Sequence, residues 1–257
     1  MFDLSTIPQS TRLAIERSPK WRDLFSRLPD TLLGIDNNAK TVKGERYGYR
    51  TAILYLSPAM SSGIQMCPMA ALAKCEDPCL NTAGRGAMTG VQMARLRKTL
   101  YFHQFREHFI ALLSFEIDQA KRKAKRDKVK LLVRLNGTSD IRWEKVAPEL
   151  FARHHDVQFY DYTKIANRRD LPKNYDLTFS YSGVVAFAPF VAKAKAQGMR
   201  IAAVFSDRER IPATFAGMRC VDGDDSDIRH RDPQGVIVAL YAKGAAKRDT
   251  SGFVIQV

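Results

Sequence analysis

The sequence predicts an α/β protein: a partial (β/α) barrel with a mostly parallel sheet and an N-terminal helical extension. Three observations carry that reading. From Tyr49 onward, short apolar runs alternate with helical patterns, as in chains built from βα units. Polar residues collect directly after those runs, at the end where an α/β barrel gathers its functional groups. Neither a Gly-rich dinucleotide fingerprint nor a Walker-type phosphate loop follows any strand pattern, which argues against an open doubly wound sheet. A chain of 257 residues, 45% hydrophobic and 26% charged, is long enough for one such domain.

The extension covers residues 1–46 and the barrel residues 47–257. Ser10 to Ser18 and Trp21 to Leu28 carry apolar residues at helical spacing, and a Gly/Asn-rich loop runs through residues 34–38. The first strand is expected at about Tyr49 to Leu56. A single long helix is expected from Val91 to about Arg126, with Leu96, Leu100, Phe105, Phe109, Leu113 and Ile117 along its apolar stripe. Its tail, Lys121 to Lys128, is densely cationic. Charge there complements the helix dipole, or it contacts phosphate.

Strand and helix patterns then alternate. Lys130 to Leu135 reads as a strand, Trp143 to Arg153 as a helix and Val157 to Tyr162 as a strand. Tyr175 to Ser182 is a strand, Val184 to Ala196 a helix closed by Gly198, and Arg200 to Phe205 a strand. Met218 to Val221 and Gly235 to Tyr241 are the last strands. The acidic loop Asp222 to Asp232 lies between them.

Three of the four cysteines, Cys67, Cys75 and Cys79, fall in one Gly/Pro-punctuated loop after the first strand. Polar loops rarely collect thiols for packing, so these read as ligands. Thiolates are soft donors suited to zinc or iron–sulfur clusters, and three of them leave one metal position open for chemistry. The spacing is not that of a zinc ribbon, although His103 or Cys220 could complete a zinc site. Asn81, Thr82 and Arg85 sit in a glycine-containing stretch before the long helix. With Lys98 they form a candidate cradle for phosphate or carboxylate.

The other strand ends supply Asn136, Thr138 and Asp140; Asp161, Thr163 and Lys164; Ser180, Tyr181 and Ser182; and Asp222, Asp224, Asp225 and Asp227. Asn136, Asp140, Lys164 and Asp225 are the candidate catalytic residues, with Ser180 and Ser182 as candidate cofactor contacts. Each also has an ordinary explanation, because βα turns are polar and supply helix caps. The four carboxylates of the acidic loop could alternatively ligate magnesium.

The formal net charge is +14 and the isoelectric point near 9.8, so polyanions, nucleic acid or nucleotide, are the expected partners. There is no run of about 18 apolar residues and hence no expected membrane span. The start, Met1 to Ser10, does not resemble a secretory signal, so a cytoplasmic protein with reduced thiols is expected. His154 and His155 are adjacent, so the His-hydrophobic-His pair of rolling-circle nucleases is not matched.

Two resemblances follow from these residues. Cys67-Pro-Met, Cys79-Leu-Asn-Thr-Ala-Gly-Arg-Gly86, Arg134-Leu-Asn-Gly-Thr-Ser-Asp140, Tyr160-Asp-Tyr-Thr-Lys164 and Asp222-Gly-Asp-Asp-Ser-Asp227 resemble the gene 88 proteins of phages and plasmids. That likeness covers about residues 45–257 and implies a mobile element in the cytoplasm of a bacterial host. Three cysteines after the first strand of a partial barrel are similar to the radical S-adenosylmethionine superfamily. That likeness implies a [4Fe–4S] cluster on Cys67, Cys75 and Cys79 with S-adenosylmethionine on the open iron. By position at the strand ends, Asn136, Asp140 and Ser180 are the expected contacts to cofactor or substrate. The cysteine spacing and Pro78 depart from that superfamily's pattern. The rival expectation is a replication-linked nucleic-acid binder with structural zinc or no metal.

Overall fold

The computed structural model describes residues 2–35 and 44–257, so residues 36–38 of the expected Gly/Asn-rich loop lie outside the described residues. Its sheet has nine strands in the order β1-β2-β3-β4-β5-β6-β9-β8-β7. These are β1 (Leu33–Ile35), β2 (Tyr49–Leu54), β3 (Lys130–Arg134), β4 (Gln158–Thr163), β5 (Tyr175–Ser180), β6 (Ile201–Phe205), β7 (Thr214–Phe215), β8 (Met218–Asp222) and β9 (Ile237–Tyr241). All neighbours from β2 to β8 pair in parallel, and only the short edge strands β1 and β7 run antiparallel. The sheet is therefore α/β, mostly parallel and not closed.

From β2 to β6 each strand lies beside the next one in the chain. Right-handed crossovers then place the connecting helices on one face, as in a barrel and unlike a doubly wound sheet. Those helices are α3 (Thr89–Gln104), α4 (Arg106–Arg126), α5 (Trp143–Val146), α6 (Pro148–Arg153) and α7 (Ala188–Ala196), preceded by α1 (Gln9–Arg17) and α2 (Pro19–Ser26). Alternate strand residues such as Leu54, Val133, Phe159 and Leu177 pack with Leu100, Phe109, Leu113 and Phe151 in the main core. Ile15 and Phe25 from α1 and α2 enter the same core. Phe179, Ala203, Phe205 and Ala239 form a second core with Val191 and Ala194 of α7.

Two expected helices are broken. The one expected from Val91 to Arg126 bends at Phe105, whose backbone leaves the helical region with φ −133° and ψ 52°. The bend lets Phe105 meet Phe2 while Phe102 meets Trp143, with ring centroids 6.1 and 5.2 Å apart. A straight helix would offer these rings one stripe and one partner surface. Pro148 divides the second, since it lacks the N–H that a continuing helix would need and fits instead at the first position of α6.

The face opposite the helices carries Leu132, Arg134, Tyr160, Tyr162, Asp176 and Thr178. The acidic segment between β8 and β9 folds back across it. Asp227 accepts from Arg134 Nη1 at 3.1 Å and from Tyr162 Oη at 3.2 Å. Arg229, fully buried, pairs with Asp232 at 2.7 Å, and Ile228 packs on Leu132 and Tyr160. Asp176 pairs with Arg200, whose Nε donates to Thr178 Oγ1 at 3.0 Å.

Candidate functional site

The thiol loop enters from β2 and takes no regular secondary structure, so its shape depends on fastenings to other segments. Thr138 Oγ1 donates to Leu56 O at 2.5 Å and the Asp140 amide to Met66 O at 2.9 Å. Ser182 Oγ donates to Ala73 O at 2.8 Å, and Ser251 Oγ to Lys74 O at 3.2 Å. At Gly63, φ is +75° and an added Cβ would lie 1.7 Å from Thr6 O, so only glycine fits there. Turns between Ala70 N–H and Cys67 O (3.0 Å), and between Cys75 N–H and Ala70 O (3.1 Å), then aim the sulfurs.

The three thiols are free and half-buried. Burial pushes Cys67 up to about 12, with the charges of Asp140, Cys79 and Cys75 close enough to oppose its ionisation further. Burial also raises Cys75, against the pull of Lys164, and it raises Cys79, against its hydrogen bond from the Asn81 amide and the charges of Arg95 and Lys164. Their own hydrogen bonds are long: Cys67 Sγ to Thr138 O at 3.6 Å, Cys75 Sγ to Ala70 O at 3.8 Å, and Asn81 N–H to Cys79 Sγ at 3.5 Å. Without a cation to share, these groups rest as neutral thiols, which are poor nucleophiles and poor ligands until deprotonated.

Lys164 lies immediately after β4 and is buried. Its ammonium donates to Ser180 Oγ at 3.1 Å, Ser180 O at 3.3 Å and Tyr181 O at 3.2 Å. Burial lowers its pKa, while the charges of Cys75, Asp140, Cys67 and Cys79 all act in the other direction. The rings of Phe187 and Phe253 flank it at 5.3 and 4.7 Å. Asp140 fixes this end of the strand, accepting from the Lys164 amide at 2.8 Å and lying 3.7 Å from Arg168 Nη1. On the far side Arg95 pairs with Asn81 Oδ1 and covers the Tyr55 ring at 5.0 Å.

Of the residues expected from the sequence, the fold brings together Cys67, Cys75, Cys79, Asp140, Lys164, Ser180 and Asn81. Ser182 serves the group indirectly by fastening Ala73, and Thr82 by donating to Cys79 O at 2.7 Å. Asn136 is occupied by its own turn: its side-chain oxygen accepts from Ser139 Oγ, the Ile141 amide and Trp143 Nε1 at 2.9 to 3.1 Å. Lys98 donates instead to Leu32 O, just before β1, at 2.6 Å, with its pKa lowered to about 8 by burial. Arg85 lies exposed in the 3-10 turn Gly84–Ala87. Asp225 is exposed and accepts from Tyr47 Oη at 2.6 Å. Its neighbours in the acidic loop pair with cations: Asp222 with Arg208, Asp224 with Lys243 and Asp227 with Arg134. Phe187 and Phe253 were not anticipated, because a ring within an apolar run looks like core. Only the three-dimensional proximity to Lys164 identifies them.

Among the described residues no three His, Cys, Asp or Glu side chains, His103 and Cys220 included, are grouped tightly enough to hold one metal ion. Cys220 packs beside the second core. No helix of the described residues is long and apolar enough to cross a membrane. Comparison with curated proteins and with solved structures finds no significant match. Residues 25–257 match a family model described as Gene product 88, and the chain belongs to that family.

Proposed function

We propose that this chain is an iron–sulfur enzyme related in design to the radical S-adenosylmethionine enzymes, acting on a nucleic acid or nucleotide. Cys67, Cys75 and Cys79 would hold three irons of a [4Fe–4S] cluster, leaving the fourth for S-adenosylmethionine. When bound, such a cluster supplies single electrons to a substrate-side cofactor. The chain's own residues contribute charge and exclusion of water. Lys164 balances negative charge gathered by three thiolates, and the Asn81 amide donates to one of the sulfurs. Phe187 and Phe253 keep the Lys164 ammonium out of bulk water. Asp140 orients the turn that carries Lys164.

One observation carries this reading: Cys67, Cys75 and Cys79, half-buried on the loop that follows β2, lie close enough to the buried Lys164 ammonium after β4 for their charges to act on it. Anaerobic purification with iron and sulfide should give a brown protein with visible charge-transfer absorbance, lost in Cys75→Ala. A colourless protein without iron after reconstitution would overturn it. The second reading, a nucleic-acid binder with structural zinc or no metal, draws on the net charge of +14. Stoichiometric zinc that survives dialysis, with no iron uptake, would favour it.

A further inference from the structure

We propose that the cavity at the N-terminal ends of β2, β3 and β4 binds the phosphate of a nucleotide or of a nucleic-acid strand. It lies at the opposite end of the parallel strands from the thiols and does not depend on whether they bind metal. Its volume is about 720 Å³, the size of a small-molecule site. The first residues of three strands, Tyr49, Lys130 and Gln158, line it together with the last turns of α4.

Its charge is one-sided. Arg122, Lys125 and Lys130 line the cavity, and none of them has an acidic partner among the described residues. Lys121 is held at 2.7 Å by Asp156, the one acidic residue in the lining. The ordinary explanation for such a cluster is complementarity to the C-terminal end of α4. That end amounts to roughly half an elementary charge, and its carbonyls are already engaged by backbone: Lys123 O by the Asp127 amide and Ala124 O by the Val129 amide, both at 3.0 Å. Lys130 is not on the helix at all. Three unpaired cations therefore exceed what the helix end needs, and a phosphate supplies the missing charge.

The cavity also has an aromatic wall. His230 from the acidic segment stands edge-on to Tyr49 with ring centroids 5.5 Å apart, and its buried Nδ1 has no hydrogen-bond partner. Burial and the neighbouring cations Arg200, Arg231 and Lys130 push its pKa down to about 4, so the ring is neutral at physiological pH. A neutral ring with an open acceptor beside a cationic rim offers a base something to lie against while its phosphate meets the lysines.

The test is fluorescence anisotropy of a short labelled single-stranded oligonucleotide on the full chain, with the Lys125→Ala/Lys130→Ala variant and an equal-charge control, Lys193→Ala/Lys247→Ala. The cavity variant should weaken binding at least about tenfold and lower the salt slope by roughly 0.7 per lost contact, while the control stays within about twofold. Lys125→Arg/Lys130→Arg should retain binding, and thermal melts of all variants should coincide. Competition by a mononucleotide identifies free nucleotide as the source, and failure to compete identifies a strand; either supports the site. Unchanged affinity in the cavity variant, or an equal loss in the control, would overturn it. Cys75→Ala should bind as wild type, so a failed metal site and a failed phosphate site give different results.

Discussion

The two polar loops that stand out in this chain, the cysteine loop and the acidic loop, have opposite fates. The carboxylates of the acidic loop are matched by cations: Asp224 by Lys243, Asp227 by Arg134 and Arg229, Asp232 by Arg229. That loop stitches a polar segment onto the face of the sheet the helices leave open. The thiols have no such matches. They make long contacts to carbonyls and face one lysine. A run of acidic residues that consumes its own charge is architecture, whereas donors left over after folding are what the proposed cluster would use.

The comparison breaks most sharply at Asp227. Asp227→Ala takes the 3.1 Å carboxylate from buried Arg134, leaves Arg229 with Asp232, and should cost about 3–5 kcal/mol in urea melts. Cys75→Ala in metal-free protein should cost under about 1 kcal/mol. A thiol variant as damaging as Asp227→Ala would show that the sulfurs are structural. Loading the cluster should stabilise the wild type by about 2–3 kcal/mol at iron concentrations a hundredfold above dissociation, and the gain should vanish in Cys67→Ala.

A smaller effect tests the acidic segment through His230. Its pKa falls from 6.5 in the unfolded chain to about 4 in the folded one. Above pH 6.5 both forms are neutral and stability is whole. As pH drops from 6.5 towards 4 the unfolded chain takes up the proton first, and stability is lost. Because the ring is partly exposed, the loss should be about 1–2 kcal/mol, and His230→Phe should flatten the pH profile in that window. The smallest effect is at Asp225. Its exposed bond to Tyr47 leads to a change within about 0.5 kcal/mol for Asp225→Ala, and a larger one would return the acidic loop to candidacy as a site.

Much of the fold is legible because the parallel strands are buried on both faces and read as continuous apolar runs, as in Leu131-Leu-Val and Ile237-Val-Ala. The edge strands β1 and β7 are not, since their pairing is set by the neighbour they lie against and not by their own two or three residues. The break at Phe105 is equally invisible, because it answers to rings brought in from Phe2 and Trp143. In the site, the thiols stand out by residue type alone. Asn136 and Lys98 show why polarity at a strand or helix end is an ambiguous signal. One stabilises its own turn and the other anchors the segment before β1, and neither task has a mark that distinguishes it from ligand binding.

The fastenings of the cysteine loop have a dynamic consequence. Its tethers come from residues 138, 140, 182 and 251, and Thr6 packs closely on Gly63, so no local motion frees it without disturbing several distant parts of the chain. In hydrogen–deuterium exchange, the amides of Ala70, Ala73 and Cys75 should be protected nearly as long as those of the central strands, despite the absence of helix or strand around them. A coil that opens only with the whole molecule holds its sulfurs in place before any ligand arrives, which lowers the ordering cost of binding one.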